Sequence, residues 1–515
     1  MCSSDLDCVS RLIGDFAFVV WDSRARRLFA ARDQMGGKPF FYAETADALV
    51  VSNTLACVRL HPGVPDTLND LAIADFLVFG HNTESDTTAF AAVRRLPPAH
   101  MLEWRDGYVQ VRRYWTLPIE EPLHYRRPAD YVEQYRQVLT DAVRDRLRTR
   151  RVNLLMTGGL DSSSVAATAK AVLSASGEPF HMRASTSVFD RVIPDQERHF
   201  ATMVAEHLGI PIEFDVADSY RLFERRDHAA FVGPEPRSVA SLARQVDRFT
   251  SFAAYGRVAL TGQGGDFILR PSASSVWRSL KRLDITGLSR DVLAHRREYG
   301  RWPRVGLRTR LRALAGVKRK RNRRFPAWLQ PALVDRLKLR ERAEAVAARE
   351  LGAVDHHRPE AYWIATTSWF RLFEALDPAV THENVEFRHP LFDLRLLGFA
   401  LRVPSLPWCA DKRLVREAMR GSLPEAIRTR PKTPLAGNAF DALFGDDDGK
   451  DWLLKIPDMP AFSRFVRVPD LFAATGPSDT YQNGLDKRPV LLEYLPALYL
   501  KYWLSVQQTS VPSTD

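Results

Sequence analysis

The chain has 515 residues, 45% of them hydrophobic and 26% charged. Such a composition excludes a mainly disordered chain, and the length predicts two or three domains with real cores. No run approaches the about eighteen uninterrupted apolar residues of a spanning helix, so no membrane is expected.

The formal net charge of +11 is local: eighteen Lys or Arg face three acids (Asp284, Asp291, Glu298) between Arg270 and Phe325, and the rest of the chain is slightly acidic. This basic insertion, 270–325, reads either as a solvated surface segment or, through Lys318–Arg321, Arg323 and Arg324, as a site for phosphates or an acidic partner; no nucleic acid partner is expected. Four cysteines (Cys2, Cys8, Cys57, Cys409) have neither C-x-x-C spacing nor neighbouring histidines. A disulfide framework and a zinc site are thereby disfavoured, and a reducing, cytoplasmic location is expected. Nothing near Met1 has the pattern of a signal peptide.

Short apolar runs at Asp15–Asp22, Leu28–Asp33, Pro39–Tyr42 and Leu49–Asn53, separated by turn residues such as Gly36-Gly37-Lys38-Pro39, predict an antiparallel sheet region with a helix near Leu71–Phe79. A Pro-containing linker spans 118–128. Beyond it, apolar residues from Tyr131 to Leu147 recur at helical spacing. Strands then alternate with helices: Val152–Met156, Ser163–Ser174, His181–Val188, Gln196–Leu208, Ile210–Val216, a helix over Val239–Tyr255 and Arg257–Thr261. This alternation predicts right-handed crossovers and a parallel sheet whose ligand site lies beyond the strand carboxyl ends. The predicted domains are 1–117, 129–506 and a tail at 507–515.

Two glycine clusters follow strands directly. Thr157-Gly158-Gly159-Leu160-Asp161-Ser162-Ser163, preceded by Met156, combines close backbone approach, hydroxyl donors and a helix amino end, which suits a polyphosphate. Asp161 is misplaced for a bare phosphate but well placed for a Mg²⁺ that bridges one. The second cluster is Thr261-Gly262-Gln263-Gly264-Gly265-Asp266.

The first cluster resembles the pyrophosphatase-type S-G-G-x-D-S loop of enzymes that adenylate substrates, with Thr157 for the first Ser. The second resembles the S-G-E-G-x-D stretch of the asparagine synthetase family. Glu386-Phe387-Arg388-His389-Pro390-Leu391-Phe392-Asp393 resembles that family's E-x-R-x-P-x-x-D, Lys412–Glu417 its K-x-x-L-R-E, and Arg430-Pro431-Lys432 its R-x-K. Gly14–Asp22, Leu28–Tyr42 and Arg94–His100 resemble the later half of the glutamine-hydrolysing domain that precedes the synthetase domain.

The resemblance implies an α/β protein: a partial Ntn-type glutamine amidotransferase-like β-rich domain, lacking its catalytic amino-terminal part, then a parallel-sheet adenine-nucleotide α-hydrolase-like (PP-loop) synthetase domain. Cys2 is rejected as the nucleophile because Ser3 replaces the family's Gly. ATP and Mg²⁺ are the implied cofactors. Met156, Thr157, Gly158, Gly159, Asp161, Ser162, Ser163, Thr261 and Gly262 are the nucleotide-binding candidates, and Asp161 and Asp266 the metal ligands. Lys432 would neutralise charge near the reacting carboxyl, or is a surface lysine in a Pro-flanked turn. Glu386 would be the base, or is a structural partner of Arg388. Gln263 departs from the family's Glu and cannot take a proton at neutral pH, which disfavours free aspartate plus ammonia.

Arg388–Asp393, Pro407–Lys412 and Arg430–Leu435 together resemble most closely the macrolactam-forming lasso-peptide cyclases. That implies a precursor peptide as substrate and a leader peptidase as partner. A broader asparagine-synthetase activity, a tRNA-modifying adenylating enzyme and a non-catalytic truncated remnant are the competing readings.

Overall fold

The computed structural model describes residues 8–221, 224–225, 233–237, 241–272, 275–303, 325–350, 354–367, 369–431, 459–473 and 490–509. Lys432, Cys2 and the basic run 304–324 lie outside them.

The amino-terminal part holds two antiparallel sheets. One has the order β1-β2-β6-β7 and the other β4-β3-β5. β1 (Ala17–Asp22), β2 (Arg27–Arg32), β3 (Phe41–Glu44) and β4 (Leu49–Ser52) fall on the predicted runs, and β5 (Arg94–Arg95), β6 (His100–Arg105) and β7 (Tyr108–Arg113) complete them. The helix Asp70–Phe79 starts where the Asn69 side chain accepts the Leu71 and Ala72 amides and stops at left-handed Gly80.

The five-stranded sheet is parallel throughout, in the order β10-β9-β8-β11-β12. Its strands are β8 (Arg151–Leu155), β9 (His181–Val188), β10 (Ile212–Val216), β11 (Val258–Thr261) and β12 (Glu386–Arg388). The chain winds outward from β8 through β9 to β10, then returns to place β11 on the other side of β8. The order therefore reverses between β8 and β11, and a parallel sheet opens its ligand crevice at such a reversal, beyond the carboxyl ends. Both glycine clusters leave the sheet there.

The largest core wraps this sheet, from Val152, Leu154 and Met156 on β8 to Leu396, Leu397 and Leu414. A second core joins Ile73, Phe76 and Phe90 of the amino-terminal half to Trp328, Phe462, Phe465 and Trp503. Late residues, among them Trp503 on the helix Val490–Thr509, thus pack with the amino-terminal sheets, across the division by sequence segments.

Buried charge also joins the two halves. Glu374 accepts from Arg32 Nη2 at 2.9 Å and from Arg95 Nε at 3.0 Å, and Arg32 is wholly buried. No helix among the described residues is long and apolar enough to cross a membrane.

Candidate functional site

The helix Leu160–Ala175 begins at Gly159, whose extended backbone turns the chain out of β8, and Asp161 lies in its first turn. Thr157 Oγ1 accepts the Gly159 amide at 3.1 Å and sits 3.1 Å from Ser162 Oγ, so two accessible hydroxyls stand together at the helix amino end. The Gly158 amide donates to Glu197 Oε2 at 2.9 Å: the loop already holds a carboxylate oxygen.

The second cluster packs directly on the first. A β-carbon at Gly262 would meet the Ser162 backbone at 2.6 Å, and one at Gly265 would meet the Asp161 carboxyl carbon at 2.1 Å. Glycine at both positions is what lets the loops touch. Gly264, at φ +101°, makes the turn that starts the short helix Gly265–Ile268, which carries Asp266.

The two aspartates meet at one point. Lys412 Nζ donates to Asp161 Oδ2 at 2.5 Å and to Asp266 Oδ1 at 2.8 Å. Burial opposes the ammonium charge, but the two carboxylates outweigh it and hold the lysine above its ordinary pKa. Asp411 and Lys412 both take left-handed backbone conformations, at φ 46° and 55°. Two such non-glycine residues in succession cost on the order of 1–3 kcal/mol each, strain typical of functional segments. Arg416 holds them, donating to the carbonyls of Asp411, Arg428 and Arg430. Arg430 in turn lies 3.8 Å from the Phe200 ring centroid and reaches the Gly158 carbonyl at 3.3 Å, so the R-x-K segment lies against the first loop.

The described residues contain no group of three or more His, Cys, Asp or Glu set to hold a metal. Mg²⁺ bound beside phosphates needs only one or two carboxylates, because phosphate oxygens and water complete its shell. Asp161 and Asp266 fit that requirement, and the Lys412 ammonium occupies the cation position between them.

Several expected roles are corrected. Met156 is fully buried and its amide donates to the Ser185 carbonyl, so its side chain belongs to the core. Ser163 is fully buried and donates to the Thr157 carbonyl at 3.2 Å; it braces the loop rather than presenting a hydroxyl. The Thr261 hydroxyl is buried 2.7 Å from His389 Nδ1. Glu386 is not brought to the cluster. It pairs with Val258 at the amino end of β12, opposite the glycine loops, and forms ion pairs with Lys38 of the amino-terminal half and with Arg388. Burial would raise its pKa, but Lys38 and Arg388 overcome that and lower it. A half-buried carboxylate held by two cations at the far end of the sheet is a structural tie, not the base.

Asp393 of the same motif is likewise structural: it caps the helix Leu394–Arg402 and accepts Arg146 at 2.7 Å. In the described part of the basic insertion, Arg278 and Arg282 are paired with Asp355, and Arg282 also with Glu121. Lys412 and Glu197 are the site residues that sequence reasoning missed. Lys412 stood in a recognised motif without a role; nothing local marks Glu197.

Comparison with known proteins places this geometry. The family model described as "Asparagine synthase" matches residues 134–468. The chain belongs to the asparagine synthase family. A second model, described as "Glutamine amidotransferase domain", matches residues 2–115 of this asparagine synthase family member. Asparagine synthetase (glutamine-hydrolyzing) 3 of Bacillus subtilis is 32% identical over 177 residues, 34% of this chain and 28% of that protein. Asparagine synthetase (glutamine-hydrolyzing) 2 of the same organism is 23% identical over 468 residues, 83% of this chain and 56% of that protein. Amidase chyE of Penicillium rubens is 27% identical over 287 residues, 51% of this chain and 40% of that protein. The matches thus span between about a quarter and just over half of these relatives' lengths.

Proposed function

We propose that this chain is an ATP-dependent carbon–nitrogen ligase that adenylates a carboxylate and passes it to an amine, closing a macrolactam in a precursor peptide. The observation that carries the reading is the convergence of Asp161 and Asp266 on one cation position beside the Thr157–Ser162 loop. A carboxylate oxygen attacks the α-phosphorus, the α–β phosphorus–oxygen bond breaks and pyrophosphate leaves. The amine nitrogen then attacks the acyl carbon, AMP departs with the carbon–oxygen electron pair, and a proton is lost. When bound, Mg²⁺ would neutralise the pyrophosphate oxygens as that charge develops.

The chain's own residues supply the remainder. The Leu160–Ala175 helix amino end favours phosphate oxygens and the Thr157 and Ser162 hydroxyls donate to them, while the Gly158 and Gly159 amides are held by Glu197 and by Thr157 Oγ1. Arg430 and Arg416 fix the segment that precedes Lys432, the residue to which we give charge neutralisation beside the reacting carboxyl. A peptide amine as nucleophile removes any need for ammonia, consistent with the amide of Gln263 where the family has Glu.

The names of the two Bacillus relatives favour a second reading, amidation of aspartate with ammonia. ATP–pyrophosphate exchange and AMP release separate the two, run once with aspartate plus ammonia and once with a precursor peptide. Peptide-dependent turnover supports the first reading and aspartate-dependent turnover the second. Asp161→Ala abolishes either; unchanged turnover in that variant refutes both.

A further inference from the structure

Two guanidiniums at the carboxyl edge of the parallel sheet carry more charge than the described residues around them balance. Arg244 and Arg248 stand one turn apart on the helix Leu242–Tyr255. Near the amino ends of β8 and β9, Asn153 Nδ2 donates to the Phe252 carbonyl at 3.0 Å and Arg183 Nη2 to the Ser251 carbonyl at 2.8 Å. The helix therefore runs against the strands and brings its first turns to their carboxyl ends. There Arg248 Nη1 donates to Ser187 Oγ at 2.9 Å, and Ser187 Oγ donates to Asp215 Oδ2 at 2.9 Å.

Asp215 is the one carboxylate among the described residues within ion-pair reach of either arginine. It lies 3.7 Å from Arg244 and 3.8 Å from Arg248, beyond hydrogen-bond length. The Arg244 side chain makes no hydrogen bond with a described residue, and the Nε atoms of both arginines are buried without a partner. With side chains only 15% and 16% exposed, they leave little room for compensating water. Two guanidiniums, one distant carboxylate and donors left over after the Arg248–Ser187 bond form a place for a further anion, since a planar guanidinium takes two oxygens of a carboxylate or phosphate at once.

Location supports this. Ser185 pairs with Leu155, so Ser187 stands two residues further along β9, level with Thr157 of the nucleotide loop on the neighbouring strand. We infer that Arg244 and Arg248 form an anion subsite beside the first glycine loop, binding an oxygen pair of a ligand that lies over the carboxyl ends of β8 to β10. The inference rests on the adenylation reading for its neighbour, and two sources share the chemistry: a nucleotide phosphate and the carboxylate of the acceptor.

The test uses the full chain and calorimetric titration in two arms, magnesium–ATP and the dicarboxylate L-aspartate, on wild type, Arg244→Gln, Arg248→Gln and the double variant. Each single substitution is expected to weaken one arm by about tenfold or more, and the double variant more than either, with no loss in thermal midpoint, because two largely buried cations share only the distant carboxylate of Asp215 and one of them is removed. Weakening confined to the ATP arm identifies the phosphate, and weakening confined to the aspartate arm the carboxylate. Unchanged affinity in both arms, absence of binding in both, or a large fall in thermal midpoint with unchanged affinity overturns the subsite. Asp161→Asn in the ATP arm keeps the two ideas separate: ATP affinity lost there, with both arms unchanged in the arginine variants, leaves adenylation standing and removes the subsite, and the converse does the opposite.

Discussion

Replacing Gly262 by alanine tests whether the contact between the two loops makes the site. Its added methyl would lie 2.6 Å from the Ser162 Cα and N, whereas ordinary contact begins at 3.4 Å, so one loop must retreat by about 0.8 Å. Both neighbouring atoms are backbone at the start of the Leu160–Ala175 helix, which cannot swing aside as a side chain would. A metal ligand has a tolerance of about 0.2 Å, and disturbing the support of such ligands costs about 10–100-fold in affinity or activity. Overpacking costs about 1–3 kcal/mol, partly offset by the about 0.5–1 kcal/mol gained when a glycine is replaced. Gly398→Ala, in the helix Leu394–Arg402 with nothing within 4 Å of its new methyl, is the control and should gain stability while leaving binding unchanged. Magnesium–ATP titration and urea unfolding of both variants are the assays. Gly262→Ala with wild-type affinity for magnesium–ATP would refute the claim that loop contact sets the distance between the carboxylates.

Other variants probe the surroundings. Glu374→Ala takes from buried Arg32 its ion-pair partner, while Arg95 keeps Glu235, and about 3–5 kcal/mol of stability should be lost in urea unfolding; a loss under 1 kcal/mol would mean the interface does not depend on the Arg32–Glu374 pair. Burial lowers the His389 pKa to about 3, so below pH 6.5 the unfolded chain binds a proton that the fold refuses, and stability falls as pH drops from about 6 to 4. Relative to wild type, His389→Gln should flatten that dependence by about 1.4 kcal/mol per pH unit, and parallel curves would contradict it. Lys412→Met removes the ammonium that competes for the carboxylates, so manganese titration without nucleotide should show tighter binding than wild type; weaker binding would make Lys412 a support rather than a competitor.

Much of this was legible in the sequence because strand period and glycine punctuation are local signals. β9 matches its predicted range, His181–Val188, at both ends, and β8, β10 and β11 differ by one or two residues. The reversal of strand order was not legible, since nothing local decides on which side of β8 the strand β11 inserts. Period two could have corrected Met156, which shares the inward face of Val152 and Leu154. Glu386 was misplaced because a motif gives spacing but not the end of the strand, and its partner Lys38 lies 348 positions away. Lys412 shows the same limit: its position between two aspartates depends on two left-handed residues and on Arg416, none of which periodicity reveals.

The most direct measurement is a crystal structure with ATP and Mn²⁺ in place of Mg²⁺, the ion located by its anomalous signal. The account predicts one ion at about 2 Å from an oxygen of Asp161 and from an oxygen of Asp266, with phosphate oxygens in its shell and Lys412 displaced. An ion bound elsewhere, or phosphates seated away from Thr157–Ser162, would contradict it.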